Sequence, residues 1–264
     1  MKKFLVIGNP IDHSLSPKLH NYWIKKNNID AIYEKKLLTQ NEIKNLMNEF
    51  KKGKIDGINV TVPFKKKVIP FLDNLSIEAK ATQSVNTIYK EQNKIIGHNT
   101  DIGGFELAIK RINYDLKNKT AFVLGAGGVA PSIIYALKKM GISKIILSNR
   151  TKEKALEIKK IFTDINIIDW GEVREFDIII NTTSLGLKKD DEIKLDYSTI
   201  GTNKLFYDVI YNPSETKFLA QAKNFGNKTE NGYMMFVYQA HQAFAIWHKI
   251  MPEINNETIN LLNQ

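Results

Sequence analysis

Gly125-Ala126-Gly127-Gly128-Val129-Ala130 follows the apolar run 121–124 and leads into a helical stretch. In that setting G-x-G-x-x-A is a dinucleotide fingerprint. Gly125 permits the tight turn, Gly127 lets the backbone approach a pyrophosphate, and Ala130 allows close helix packing. The free amides and positive dipole end of the helix favour the anion. About twenty residues on, a second run ends in Ser148-Asn149-Arg150-Thr151, where an NAD-binding chain usually carries an acid for the ribose hydroxyls. An arginine there suits a 2′-phosphate instead, and Lys154 in the first turn of the next helix adds a second cation. The alternative is a glycine turn without a ligand and two solvated surface cations.

A second set of polar residues lies in the first hundred. Asn59-Val60-Thr61-Val62-Pro63-Phe64-Lys65 places Asn59, Thr61 and Lys65 where an apolar run ends, at the carboxyl edge where open α/β sheets bind ligands. Lys65 is the candidate acid or base, although one lysine among 35 says little alone. Asn99-Thr100-Asp101 with Gly103 and Gly104 makes another polar turn, and Ser14 with Ser16 offers two hydroxyls in a proline-bounded loop. Serine pairs in loops are commonly turn formers.

These residues need elements to hold them. Apolar runs and lysine-rich helical periodicity alternate, with strands expected at 4–7, 32–38 and 55–62, and helices at 19–26 and 41–51. That is βαβ rhythm. Beyond a helix at 104–112 the pattern sharpens: strand 121–124, helix 130–140, strand 144–147, helix 153–162 and strand 178–180. Continuous apolar runs of this kind read as buried parallel strands. A helix over 232–249 carries Met, Phe, Tyr and Trp at mixed spacing, a stripe more often core than cofactor box.

Composition narrows the function classes. The chain has 264 residues with 43% hydrophobic and 25% charged, enough for a sizeable core in one or two domains. No cysteine means no disulfide framework, thiolate metal site or cysteine nucleophile, and five scattered histidines make no metal cage, so no metal is expected. The net charge of +10 comes from lysines and only three arginines, Arg111, Arg150 and Arg174, so it reads as a solvated surface rather than a nucleic-acid patch. No apolar run approaches a membrane span or a signal-peptide core, and a cytoplasmic protein with no nucleic-acid or membrane partner is expected.

Taken collinearly, the motifs closely resemble the shikimate dehydrogenase family over nearly the whole chain. The matching stretches are Gly8-Asn9-Pro10 to His20 with Ser14-Leu15-Ser16-Pro17, Asn59 to Lys65, Val85-Asn86-Thr87, Asn99-Thr100-Asp101 and the glycine loop. They continue through Asn149-Arg150-Thr151, Asn181-Thr182-Thr183-Ser184-Leu185-Gly186, Tyr207-Asp208-Val209-Ile210-Tyr211-Asn212-Pro213, and Gln239-Ala240 with Ala243-Phe244.

The resemblance implies a two-domain α/β fold. An N-terminal α/β substrate domain, 1–102, would be completed by C-terminal helices over 237–264, with a Rossmann-type NADP domain at 103–236 and the active site in the cleft. It implies NADPH-dependent reduction of 3-dehydroshikimate to shikimate by a monomer or homodimer. Lys65 and Asp101 would form the catalytic pair. Ser14 and Ser16 would bind the substrate carboxylate; Asn59, Thr61, Asn86, Asp101 and Gln239 would hold ring hydroxyls; Tyr211 would stand beside substrate near the nicotinamide. The cofactor residues would be Gly125, Ala126, Gly127, Gly128, Ala130, Asn149, Arg150, Thr151, Lys154, Thr183 and Gly232. Two positions depart from the family pattern: Gln83-Ser84 stand where small Gly-Ala usually precede Val-Asn-Thr, and Lys154 stands where arginine is common.

The nearest alternative is a dual quinate and shikimate dehydrogenase. A methylenetetrahydrofolate dehydrogenase, with a similar layout, would leave the Ser-x-Ser and Asn-Thr-Asp elements unexplained. A ligand-sensing module would predict loss of Lys65 or Asp101, and both are present.

Overall fold

A computed structural model describes residues 1–188 and 190–261. The chain forms two compact units, Met1–Thr100 together with the segment from Gln239, and Asp101–Tyr238.

The first unit opens with β1 (Lys2–Gly8), α1 (Ser16–Lys26), β2 (Ala31–Leu37), α2 (Ile43–Lys51) and β3 (Gly57–Val60). β4 (Asn74–Leu75), α3 (Ile77–Thr82), β5 (Thr87–Glu91) and β6 (Lys94–His98) follow. β1 lies between β2 and β3 and runs parallel to both, so Phe4 to Ile7 are covered on either face and read as an unbroken apolar run. Helix α2 buries Ile43, Leu46, Met47 and Phe50, the stripe of an amphipathic helix, against a core that includes Leu5, Ile7, Ile58, Val60 and Phe64.

The βαβ rhythm stops at β3. The sheet order is β2-β1-β3-β5-β6-β4, and β5 pairs antiparallel with both β3 and β6. The hairpin between β5 and β6 turns on Gln92 and Asn93, both with positive φ, as a two-residue turn matched to strand twist requires. Helix α3 ends at Gln83, itself left-handed at φ 49° and ψ 38°. The side-chain amide of Gln83 donates to the Lys80 carbonyl at 2.8 Å, partly capping the helix it ends.

The second unit begins with α4 (Asp101–Arg111), β7 (Thr120–Leu124), α5 (Ala130–Lys139), β8 (Lys144–Ser148), α6 (Lys152–Ile161) and β9 (Asn166–Ile168). It continues with β10 (Ile178–Asn181), α7 (Tyr197–Ile200), β11 (Leu205–Asp208), α8 (Lys217–Asn224) and β12 (Lys228–Glu230). The sheet is wholly parallel in the order β12-β11-β10-β7-β8-β9. This is the doubly wound order whose switch point falls between the first and fourth strands, here β7 and β10.

Helix α9 (Tyr233–His248) starts in the second unit, continues in the first, and precedes α10 (Asn256–Leu261). Its aromatic stripe is core. Phe236 stacks on Tyr211 at 4.4 Å within the second unit. Within the first, Phe244 and Trp247 pack on His20, and Trp247 also donates its indole N–H to the Ile88 carbonyl at 3.1 Å. Among the described residues no helix is long and apolar enough to cross a membrane.

Candidate active site

In the first unit, the carboxyl end of β3 opens onto a buried amide cluster. Asn59, the third residue of β3, donates through Nδ2 to the Asn86 carbonyl at 3.0 Å and to Thr87 Oγ1 at 3.1 Å. Its Oδ1 accepts from the Tyr33 hydroxyl at 2.7 Å. Asn86, between α3 and β5, donates through Nδ2 to Thr100 Oγ1 at 2.9 Å and to Gln239 Oε1 at 3.4 Å, while its Oδ1 accepts the Thr100 amide at 2.8 Å. The fold therefore gathers Asn59, Asn86 and Gln239 from positions far apart in sequence.

Lys65 joins this neighbourhood through the main chain. Its carbonyl accepts the Val85 amide at 3.0 Å, one residue before Asn86, and its side chain is buried although cationic. Thr61 begins the turn that delivers it: the Thr61 amide donates to the Ile7 carbonyl and its own carbonyl accepts from Phe64, both at 2.9 Å. Asp101, the first residue of α4, is also buried and follows Thr100 directly in the chain. Ser14 Oγ accepts the Ser16 amide at 3.4 Å at the start of α1, which leaves the Ser14 hydroxyl hydrogen for another acceptor.

In the second unit, the glycine turn leaves β7 at the switch point. Gly125 has φ +102°, and a Cβ there would lie 2.6 Å from the Thr183 methyl, so the turn excludes any side chain. Gly127 differs: a Cβ would meet only the Thr182 carbonyl, at 3.6 Å. Both Gly127 and Gly128 are exposed just before α5, which leaves the approach to this helix N-terminus open, as a pyrophosphate needs. Ala130 is fully buried, consistent with close helix packing.

Asn149, after β8, fastens this turn. Its Oδ1 accepts the Ala126 amide at 2.9 Å and its Nδ2 donates to the Thr151 carbonyl at 2.7 Å. Arg150, Thr151 and Lys154 are exposed at the end of β8 and the start of α6, beside the turn that Asn149 ties down. The glycine turn ahead of a helix N-terminus, with two exposed cations after the neighbouring strand, fits a dinucleotide carrying a 2′-phosphate.

Residues 6–88 match the family model of the shikimate dehydrogenase substrate binding domain, and residues 106–188 match that of shikimate / quinate 5-dehydrogenase. The chain is 63% identical over 262 residues to the shikimate dehydrogenase (NADP(+)) of Pelagibacter ubique, with 99% of each chain covered. The chain belongs to the shikimate dehydrogenase family. Among solved structures, it resembles the shikimate dehydrogenase of Aquifex aeolicus with a TM-score of 0.90 at 36% identity, covering 100% of this chain and 98% of that one. It also resembles the Thermus thermophilus enzyme in complex with NADP(H) and shikimate, with a TM-score of 0.89 at 29% identity and coverage of 100% and 99%.

The remaining residues expected from the family resemblance fall in the second unit. Thr183 donates its hydroxyl to Asn181 Oδ1 at 2.7 Å and accepts the Leu185 amide at 2.9 Å, which closes a tight loop after β10. Tyr211 stacks on Phe236. Gly232 has a packing reason of its own, since a Cβ there would run into the Val209 carbonyl at 2.1 Å.

Three supporting residues of this shikimate dehydrogenase fold were not singled out in the sequence. Thr182 donates to both the Leu124 and Gly125 carbonyls at 2.9 Å. Asn181 reaches Asp208 at 3.0 Å, and Asp208 also accepts from the Ile210 amide at 3.0 Å and the Thr216 hydroxyl at 2.7 Å. Burial pushes the Asp208 carboxyl up to about 6 despite those three donors. Asn181, Thr182 and Asp208 all lie within the matched motifs, but a supporting role leaves no spacing signal.

Proposed function

We propose that this chain catalyses the reversible NADP-dependent interconversion of shikimate and 3-dehydroshikimate, in the pathway to chorismate and the aromatic amino acids. It is an oxidoreductase acting on a CH–OH group. The observation that carries the reading is the cluster of Asn59, Asn86 and Gln239, with Lys65 bonded one residue from Asn86 and Asp101 peptide-linked to Thr100, in a chain 63% identical to a shikimate dehydrogenase (NADP(+)).

In this reading residues 1–102 with 237–264 form the substrate domain and 103–236 the cofactor domain. Ser14 and Ser16 donate hydroxyl hydrogens to the substrate carboxylate, anchoring one end of the ring. Asn59, Thr61, Asn86, Asp101 and Gln239 take the ring hydroxyls, and Tyr211 borders the substrate. The glycine turn, Asn149, Arg150, Thr151, Lys154, Thr183 and Gly232 hold NADP, whose nicotinamide supplies or accepts the hydride when bound. As the carbonyl is reduced, negative charge grows on its oxygen. The Lys65 ammonium stabilises that charge and delivers the proton, and the Asp101 carboxylate orients the ammonium. The enzyme works in the cytoplasm as a monomer or homodimer, on a free small molecule.

The test is NADP reduction followed spectrophotometrically with shikimate and with quinate. The reading expects kcat/KM for shikimate to exceed that for quinate. Equal or greater efficiency with quinate would instead support the alternative, a dual quinate and shikimate dehydrogenase, which the names of the close relatives do not favour.

A further inference from the structure

The Asn59 amide is held in one orientation. Both Nδ2 hydrogens are engaged, by the Asn86 carbonyl and Thr87 Oγ1, and Oδ1 accepts the Tyr33 hydroxyl. A flip would set Oδ1 against the Asn86 carbonyl, oxygen to oxygen, so that carbonyl fixes which end of the amide faces Tyr33, and the Tyr33 hydroxyl, able to donate, holds Oδ1 there. Two donors are therefore occupied, and beyond the Tyr33 bond Asn59 retains acceptor capacity at Oδ1.

Tyr33 is itself fixed by α1. The Asn21 side chain clamps its main chain at both polar groups: Nδ2 donates to the Tyr33 carbonyl at 2.8 Å, and Oδ1 accepts the Tyr33 amide at 2.9 Å. His20 lies flat on the Tyr33 ring, with centroids 4.2 Å apart and planes 5° from parallel. Tyr33 is 1% exposed, so its ring is enclosed on every side. A rigid line thus runs from α1, whose first residue is Ser16, through Tyr33 on β2 to Asn59 on β3.

We propose that Tyr33 is a positioning residue for substrate recognition: its hydroxyl holds Asn59 Oδ1, whose sense the Asn86 carbonyl fixes, where the substrate meets an acceptor, selecting a ring hydroxyl at that point over a carbonyl or ether. The inference rests on the proposed function, which puts Asn59 against the substrate. It adds the residue that holds Asn59 Oδ1 in place and the hydrogen-bond sense that Oδ1 imposes.

Tyr33→Phe removes only the hydroxyl and keeps the ring on His20. Losing one buried hydrogen bond that aims a binding group should raise KM for shikimate roughly tenfold, with KM for NADP unchanged. Circular dichroism melting reports whether the variant stays folded. In an Asn59→Ala background the same change should add nothing, because the group that Tyr33 aims is gone. Three results would overturn the role: an unchanged shikimate KM in Tyr33→Phe, an equal rise in KM for NADP, or a full tenfold effect persisting in Asn59→Ala. Calorimetric titration of shikimate into the wild-type chain separates the two levels. No binding there brings down the functional reading and this inference together, whereas normal binding by both wild type and Tyr33→Phe overturns the inference alone.

Discussion

Asn86 and Thr100 clasp each other twice, the Thr100 amide donating to Asn86 Oδ1 at 2.8 Å and Asn86 Nδ2 donating to Thr100 Oγ1 at 2.9 Å. Thr100 ends the first stretch of one compact unit and Asp101 starts the other. The clasp thus fixes Thr100 to the side chain that also holds Gln239, and Asn86 follows the residue bonded to Lys65. For the proposed roles of these residues such fixing matters, because misplacement of a catalytic group by about 1 Å can cost on the order of 10²-fold in rate.

Cofactor choice should depend on Arg150. The guanidinium is exposed beside a glycine turn tied down by Asn149, and its planar fork suits a phosphate as lysine's point charge does not. Arg150→Asp should invert the preference for NADP over NAD, on the order of 2 kcal/mol, read as the ratio of kcat/KM for the two cofactors at fixed ionic strength. Asn149→Ala should weaken both cofactors together, because it frees the Ala126 amide. A ratio that Arg150→Asp leaves unmoved would remove Arg150 from the 2′-phosphate site.

Gln83 stands where the family pattern carries glycine, and its φ of 49° is a conformation that costs an ordinary residue roughly 1–2 kcal/mol. Gln83→Gly relieves that strain but surrenders the bond to the Lys80 carbonyl and some unfolded-chain entropy. A net gain of roughly 0.5 kcal/mol in equilibrium denaturation is expected, whereas Gln83→Val should lose more than about 1 kcal/mol. A stabilised valine variant would contradict the backbone geometry.

His20 should make the protein sensitive to mild acid. Complete burial, with a smaller contribution from nearby His248, lowers its pKa to about 3, and neither ring nitrogen has a hydrogen-bond partner among the described residues. In the unfolded chain the imidazole takes a proton near 6.5, so below that pH the unfolded state binds more protons and is favoured. The stability is fully present above about pH 6.5 and is lost as the pH falls from there toward 3. Between pH 7 and pH 5 the loss should be about 2 kcal/mol, and His20→Phe should flatten the slope. His248, lowered to about 4 chiefly by burial, acts in the same sense and would leave a residual slope. An unchanged slope in His20→Phe would place the acid sensitivity elsewhere.

Much of this was legible in the sequence where one physical demand dominates. The run Ile178 to Ile180 reads as a buried parallel strand because nothing else tolerates unbroken isoleucine so well, and Gly125 reads as a turn because only glycine fits. Antiparallel β5 and β6 were not legible. Thr87–Glu91 and Lys94–His98 mix charged, aromatic and apolar residues, and their turn uses Gln92-Asn93 rather than the Asn-Gly that marks a hairpin. Tyr33 was invisible for another reason. Its role depends on Asn59, 26 residues away, and on the clamp from Asn21, neither of which leaves a periodic trace.

The proposed chemistry turns on Lys65 handling the proton with Asp101 as its partner. The most direct measurement is kcat for shikimate oxidation at saturating NADP by wild type, Lys65→Ala and Asp101→Asn, beside the shikimate dissociation constant of each from calorimetry. In both variants kcat should fall by roughly 10²-fold or more while the dissociation constant moves far less. A Lys65→Ala enzyme that turns over at nearly the wild-type rate would contradict it.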